Sequence, residues 1–291
     1  MSAILVAASS VPCDVESFLK GHGGDFRSLR EGYAGEVTLV HAPSPDNFHD
    51  LQAHALDTGL DVFCVPAAGR RKKLFLADMD ATIVAGETLD ELAEYAGLKE
   101  KISAITARAM RGELDFHEAL TARVAMLEGL PITALNATLG KMVVNAGARE
   151  AVQVMRHFGT CCVLVSGGFT FFTGAVAQLC GFDFHHGNRL EIEDEKLTGR
   201  VIPPILDKEA KLAFLNQYAM TQGIPLEGVI TTGDGANDIP MLAAAGCGVG
   251  YRPKPLVREQ IRNNIMVSDL TSLLYIQGYS EQDISSALSP F

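Results

Sequence analysis

The sequence predicts an α/β protein: a Rossmann-like parallel sheet with a helical-bundle cap, preceded by a small ferredoxin-like α+β unit. Three observations point there. Short apolar runs such as Leu74-Phe75-Leu76-Ala77 alternate with amphipathic stretches, as strands covered on both faces do in parallel sheets. Three of these runs stop at polar clusters: Asp78/Asp80, Ser166-Gly167, and Asp234/Asn237/Asp238. Between the first and second clusters, residues 84–145 read as helix with no strand.

The chain begins with a strand over residues 2–8. A short helix over Asp14 to Lys20 follows, ended by Gly21-His22-Gly23-Gly24. Phe26 to Ala42 reads as two strands joined near Gly32-Tyr33-Ala34-Gly35. Pro45-Asp46 opens a helix carrying Phe48, Leu51 and Leu56, and Leu60 to Pro66 is another strand. The order β-α-β-β-α-β is ferredoxin-like. Such a unit either binds a small effector or simply packs, and it holds no catalytic cluster. We expect it to span residues 1–70, with Gly69-Arg70-Arg71-Lys72-Lys73 as a linker whose basic run is a solvated junction.

From residue 71 to 291 we expect a second domain. Its first strand ends at Asp78, and if extension continues, Asp78 and Asp80 leave on the same side. Two adjacent carboxylates resist joint ionisation unless a cation lies near. Taken alone, the pair equally suits an acidic turn. Glu87 to Leu98 reads as a helix, with Glu87 at its favourable N-terminal end. Ile102, Ile105 and Ala109 mark a second helix closed by Gly112, and Phe116, Leu120, Val124 and Leu127 a third. Leu135, Leu139 and Met142 mark a fourth, after Gly129 and Pro131. Such an insertion, about 84–145, should cover the sheet as a cap. Arg123 shares a face with the Phe116 stripe, where an arginine either snorkels or answers an acid or an anionic ligand.

Ala148 to His157 is a helix and Thr160 to Val165 a strand, stopping at Ser166-Gly167-Gly168-Phe169 before a helix to Leu179. Glycines and a hydroxyl at a helix start suit an oxyanion, or simply a tight turn. Phe182 to Arg200 reads as a hairpin about Glu193-Asp194-Glu195. Its His185-His186 pair points to opposite faces and makes a poor metal site. Asp207 caps a helix to Met220 whose buried side is Leu212, Leu215 and Tyr218. Lys208 and Lys211 lie in its first turns, where the helix dipole disfavours cations unless an anion answers them. Strands follow at Val229 to Thr232, Cys247 to Gly250 and Ile265 to Val267, with helices at Pro253 to Gln260 and within 270–288.

Composition narrows the function. A formal net charge of −11 argues against nucleic acid or an anionic membrane as the main partner. No apolar run spans a membrane and no signal peptide is visible. Six cysteines without a CxxC pair suit reduced thiols and a cytoplasmic setting.

In a right-handed parallel sheet the three polar strand ends share one rim, where ligands of such sheets bind. Four carboxylates there call for a cation, and oxygen ligands without histidine or cysteine suit Mg²⁺. Adding a lysine and a glycine-rich helix start suits a phosphate. On these residues the chain resembles the haloacid dehalogenase-like phosphatases, and among them the phosphoserine phosphatases. The likeness is carried by Asp78-Met79-Asp80-Ala81-Thr82, Val165-Ser166-Gly167-Gly168-Phe169, Lys211, and Gly233-Asp234-Gly235-Ala236-Asn237-Asp238-Ile239-Pro240-Met241-Leu242. It covers roughly residues 73–275 and extends to Glu87, Ala109-Met110-Arg111-Gly112, Phe116 and Arg123-Val124-Ala125-Met126-Leu127 in the cap. Ala81 departs from it, since the family usually has serine there.

The resemblance implies a nucleophile at Asp78 and a general acid, then base, at Asp80. It implies Mg²⁺ on Asp78, the Asp80 main-chain carbonyl and Asp234, with Asp238 orienting that shell. Ser166, Gly167, Lys211 and Asn237 would hold the phosphate. Glu87 would read the substrate ammonium and Arg123 its carboxylate, with Met110, Phe116 and Gly168 completing the substrate site. The implied reaction is hydrolysis of phosphoserine, the last step of serine biosynthesis. Phosphoryl transfer to another alcohol, or another small phosphomonoester, are the alternatives. A regulatory protein without catalysis is disfavoured by Asp78, Asp80, Lys211 and Asp234. The first unit is similar to ACT-like modules, which makes serine an expected effector there, and a homodimer is a further expectation.

Overall fold

The computed structural model describes residues 2–110 and 115–289, apart from the side chains of Ala107, Ala109, Met110 and Lys208. Of the expected cap residues, the Met110 side chain, Arg111 and Gly112 lie outside what the structure describes.

β1 (Ala3–Ala8), α1 (Val15–Lys20), β2 (Phe26–Arg30), β3 (Ala34–Leu39), α2 (Pro45–Asp57) and β4 (Asp61–Pro66) follow the predicted ferredoxin-like order. Their strands form an antiparallel sheet, β2-β3-β1-β4. The side chains of β1 alternate between two cores. Ala3, Leu5 and Ala7 pack with Val15 and Leu19 of α1 and Phe48 and Ala55 of α2. Ile4, Val6 and Ala8 belong instead to the main core of the molecule. Both faces of the strand are dry, which explains its unbroken apolar run.

The main sheet is built from β5 (Leu74–Ala77), β6 (Cys161–Phe169), β7 (Phe184–Glu193), β8 (Lys196–Ile202), β9 (Val229–Gly233), β10 (Cys247–Tyr251) and β11 (Asn263–Ile265). The order is β11-β10-β9-β5-β6-β7-β8, parallel except for the β7–β8 hairpin. The central strand β5 is followed on one side by β6 and on the other by β9, so the chain reverses direction across it. A crevice opens at such a switch point, beyond the carboxyl ends of the strands. Helices α3 (Thr88–Tyr95), α4 (Lys99–Met110), α5 (Phe116–Ala125) and α6 (Ile132–Leu139) form the insertion. The rest are α7 (Ala148–His157), α8 (Thr170–Cys180), α9 (Lys208–Thr221), α10 (Ile239–Ala244), α11 (Pro255–Gln260), α12 (Ser272–Ile276) and α13 (Glu281–Leu288).

Four local expectations need correction. The insertion is not purely helical, because its two ends meet in an antiparallel bridge between Val84 and Val144. Ala85 N–H donates to the Val143 carbonyl at 2.8 Å, and Asn145 Nδ2 to the Thr82 carbonyl at 2.8 Å. The first cap helix stops at Tyr95, where Gly97 takes a left-handed φ of 70° that a glycine adopts without strain. The last strand is Asn263–Ile265 rather than 265–267. Its expected residues are engaged elsewhere: Met266, Val267 and Ser268 all give their N–H groups to the buried Asp61 carboxylate. Finally, the basic run at 69–73 is a solvated junction only in part: Gly69, Arg71 and Lys73 are exposed, but Arg70 is half-buried and Lys72 buried. Arg70 donates to Glu36 at 2.7 Å and to the Tyr275 and Ile276 carbonyls, while Lys72 Nζ is held by the Gly69 and Glu227 carbonyls.

Candidate active site

β5 delivers two acids to the crevice. Asp78 is still extended (φ −71°, ψ 158°), as is Asp80 (φ −66°, ψ 138°), so both carboxylates leave the strand together. The turn comes at Ala81, with φ 52°, a left-handed value uncommon for a residue bearing a Cβ. Its N–H closes the turn onto the Gly86 carbonyl at 2.8 Å. Asp80 is gripped from two sides: Thr88 N–H donates to Oδ1 at 2.9 Å, and Ser166 Oγ donates to Oδ2 at 3.0 Å.

β6 supplies the glycine-rich loop. Gly168 N–H donates to Ser166 Oγ at 2.8 Å. A Cβ at Gly168 would lie 2.9 Å from Asp80 Oδ2 and 3.0 Å from Ser166 Oγ, so the loop approaches the acids only because no side chain is there. Phe116 of the cap reaches the same loop, its ring edge 3.5 Å from where a Gly167 Cβ would sit.

Lys211 sits in the second turn of α9, which Asp207 caps through the Glu209 and Ala210 N–H groups. It is 2% exposed, with Nζ 2.8 Å from Asp78 Oδ1 and 2.5 Å from Asp238 Oδ1. The answer to a cation at an unfavourable helix position is thus a pair of buried carboxylates. Asp238 is fully occupied: its Oδ2 accepts the Asp234 and Gly235 N–H groups at 3.1 and 3.0 Å. Asn237 is exposed, and its Oδ1 lies over Gly235, 2.4 Å from where a Cβ there would sit.

The carboxylates of Asp78, Asp234 and Asp238 lie close enough for one ligand oxygen from each to fall within 4.8 Å of the others. Burial, then the Asp238 charge, pushes the Asp78 carboxyl well above its ordinary range, against the pull of Lys211. Burial likewise raises Asp80 and Asp234. On Lys211 burial acts to remove the proton, but Asp78 and Asp238 outweigh it and raise its pKa. An all-oxygen set of three buried acids reached by only two lysines fits a hard divalent cation. Because both oxygens of Asp238 are already bonded, Asp78 and Asp234 are the freer donors.

Around the crevice mouth the cap brings Glu87 and Arg123. Glu87 is pushed up to about 7 by desolvation and by the Asp80 charge. Arg123 is half-buried, donates Nε to the Ala119 carbonyl at 3.1 Å, and feels the charges of Asp90 and Glu87. Three neighbours were not singled out in the sequence. Thr88 holds Asp80 and directly follows Glu87. Lys254 pairs with Asp234 at 3.1 Å and reaches Glu87 at 3.8 Å, while its N–H donates to the Asp234 carbonyl at 2.9 Å. It follows the end of β10, so the same strand-end rule pointed to it. His117, next to Phe116, pairs with Asp207 at 3.2 Å and joins cap to core; nothing in the sequence signalled that contact.

The family model of the haloacid dehalogenase-like hydrolases matches residues 75–243, more than half of the chain. The chain belongs to that family. A phosphoserine phosphatase of Streptomyces coelicolor is 38% identical over 240 residues, covering 81% of this chain and 58% of the relative. One from Streptococcus thermophilus is 41% identical over 205 residues, covering 70% of this chain and 95% of the relative. The chain therefore spans little more than half the length of the first relative and nearly all of the second. Among solved structures, a haloacid dehalogenase family hydrolase from Salmonella enterica superposes with a TM-score of 0.87 at 31% identity, covering 94% of this chain and 98% of that one.

Proposed function

We propose that the chain is a Mg²⁺-dependent phosphatase that hydrolyses O-phosphoserine to serine and phosphate through an aspartyl phosphate. The observation that carries this reading is the convergence of Asp78, Asp80, Lys211 and the Ser166–Gly168 loop under Phe116 of the cap. The curated phosphoserine phosphatases it resembles support the substrate.

Asp78 is the nucleophile. Its carboxylate oxygen forms a bond to phosphorus as the bond to the serine oxygen breaks. Asp80, whose carboxyl pKa is raised by burial, gives its proton to the departing oxygen. Water then enters from the vacated side, Asp80 takes its proton, and the acyl phosphate releases inorganic phosphate. Lys211 and a bound Mg²⁺ together would keep Asp78 ionised, and Lys211 balances charge on the phosphoryl oxygens. Ser166 Oγ and the Gly167 N–H hold those oxygens, with Asn237 at the loop edge. Asp78, Asp234 and the Asp80 main-chain carbonyl would hold Mg²⁺, which would supply positive charge to offset the anionic nucleophile and substrate. Asp238 orients Lys211 and the Asp234 loop.

Substrate selection falls to the cap. Arg123 takes the carboxylate, Glu87 the ammonium, and Phe116 with Met110 closes the apolar side and excludes water. In this reading residues 1–70 are an ACT-like unit, 71–291 the phosphatase, and about 84–145 its cap. Phosphate release with and without Mg²⁺ across a panel of phosphomonoesters tests it, with phosphoserine expected to lead. Asp78→Asn should fold normally and lose turnover; substantial activity in that variant removes Asp78 as nucleophile.

A further inference from the structure

The β6–β7 ladder breaks at the phosphate-holding loop. Val165 pairs with His186 and Phe169 with Asn188, so three residues of β6 stand opposite the single residue Gly187. Ser166, Gly167 and Gly168 bulge out toward the acids, and their main-chain groups lose the regular ladder. Gly187 lets the bulge lie close: a Cβ there would be 3.1 Å from both the Gly168 carbonyl and the Thr170 nitrogen.

The Asn188 side chain takes over the lost pairing. It is 0% exposed. Its Nδ2 donates to the Gly167 carbonyl at 2.8 Å and to the Leu206 carbonyl at 3.2 Å, and its Oδ1 accepts the Leu206 N–H at 2.8 Å. Leu206 immediately precedes Asp207, the cap of the helix that carries Lys211. One buried amide therefore ties the loop of Ser166 and Gly167 to the start of the Lys211 helix. Both of its donor hydrogens and its acceptor are used, which fixes its orientation.

We propose that Asn188 is a positioning residue for phosphate: it sets the distance between the glycine loop and Lys211 without touching the ligand. The proposal rests on the phosphatase reading only in taking that loop and Lys211 as the phosphate holders. It does not depend on which phosphomonoester is the substrate. No other residue type of that size offers two donors and an acceptor with neutral charge. Leucine fills the space but leaves three main-chain groups unpaired. Aspartate keeps the acceptor for Leu206 but, when ionised, sets an oxygen against two carbonyls.

The test is calorimetric binding of inorganic phosphate to the full-length protein in Mg²⁺, for the wild type, Asn188→Leu and Asn188→Asp, at pH 8. Mg²⁺ binding without phosphate is measured beside it, because the metal carboxylates lie on β5 and β9, away from β7. Both variants should lose about tenfold or more in phosphate affinity while Mg²⁺ affinity stays within about threefold. Asn188→Asp should regain phosphate affinity relative to the wild type as pH falls and its carboxyl protonates. If phosphate affinity is unchanged, or if phosphate and Mg²⁺ affinities fall together, the proposal is overturned. Should Asn188→Leu fail to fold, Asn188→Asp carries the same comparison. Failure of the phosphoserine reading would show separately, in wild-type turnover on the substrate panel.

Discussion

Glu87 and Arg123 stand at the crevice mouth with opposite charges, and each makes a separate prediction. Arg123 lies half-buried near Asp90 and Glu87, where desolvation strengthens any contact to an incoming carboxylate. Arg123→Ala should lower kcat/KM for phosphoserine by about 100-fold and leave p-nitrophenyl phosphate within a few-fold. Equal losses on both substrates would show that Arg123 reads no carboxylate. Glu87 must be ionised to hold an ammonium, and its pKa is raised to about 7. Below that value it is neutral, so KM for phosphoserine should rise as pH falls from 8 to 6. Bound Mg²⁺ adds positive charge nearby and moves the limb lower. p-Nitrophenyl phosphate has no ammonium and should lack the limb, and so should Glu87→Gln acting on phosphoserine. A limb that persists in Glu87→Gln assigns the titration to another group.

At the scale of elements, the strand ends concentrate charge that the fold cannot balance by itself. Asp78, Asp80 and Asp234 all have raised pKa values, chiefly from burial. The folded state therefore binds more protons than the unfolded chain over the window above their ordinary carboxylate values. In that window stability falls as pH rises, the reverse of a salt-bridged acid. A divalent cation removes the penalty by binding the folded state alone. Melting temperature without Mg²⁺ should thus decline from pH 5.5 to pH 8, and the increase on adding Mg²⁺ should be larger at pH 8. A Mg²⁺ effect independent of pH would contradict the coupling. The two-residue bridge Val84–Val144 is the only ladder contact found between the ends of the insertion among the described residues, and it places the cap entry directly after the Asp80 turn.

For the whole molecule, the first sheet is part of the main body and not an appendage. Ile4, Val6, Phe63 and Val65 share one core with the seven-stranded sheet. The edge of β4 is completed by a side chain: Asn263 Oδ1 accepts the Cys64 N–H at 2.9 Å and its Nδ2 donates to the Cys64 carbonyl at 3.4 Å. Beside it Asp61, 2% exposed, accepts the N–H groups of Met266, Val267 and Ser268 and the Ser268 hydroxyl. Asp61→Ala leaves the buried Ser268 N–H and the half-buried Met266 N–H without this partner and should cost about 3 kcal/mol of stability. Chemical denaturation reads it. An unchanged midpoint would mean that the two sheets unfold independently of this junction.

Local chemistry written in the chain was enough to place the elements and most of the rim. Apolar runs ending in Asp78, Ser166 and Asp234 marked strand ends, because alternation and strand length are short-range properties, and parallel topology sends such ends to one edge. Lys211 stood out because its charge opposes its helix position. The pairings across distant segments were decided only by the tertiary structure. Lys254 on Asp234, His117 on Asp207, Asn188 on Gly167, and Asp61 on residues 266–268 each join side chains to partners that no sequence spacing relates. The basic run at 69–73 reads as exposed because lysine and arginine usually are. Only two of its side chains are drawn in: Arg70 is half-buried because Glu36 and the carbonyls of residues 275 and 276 arrive from far along the chain, and Lys72 is buried against the Gly69 and Glu227 carbonyls.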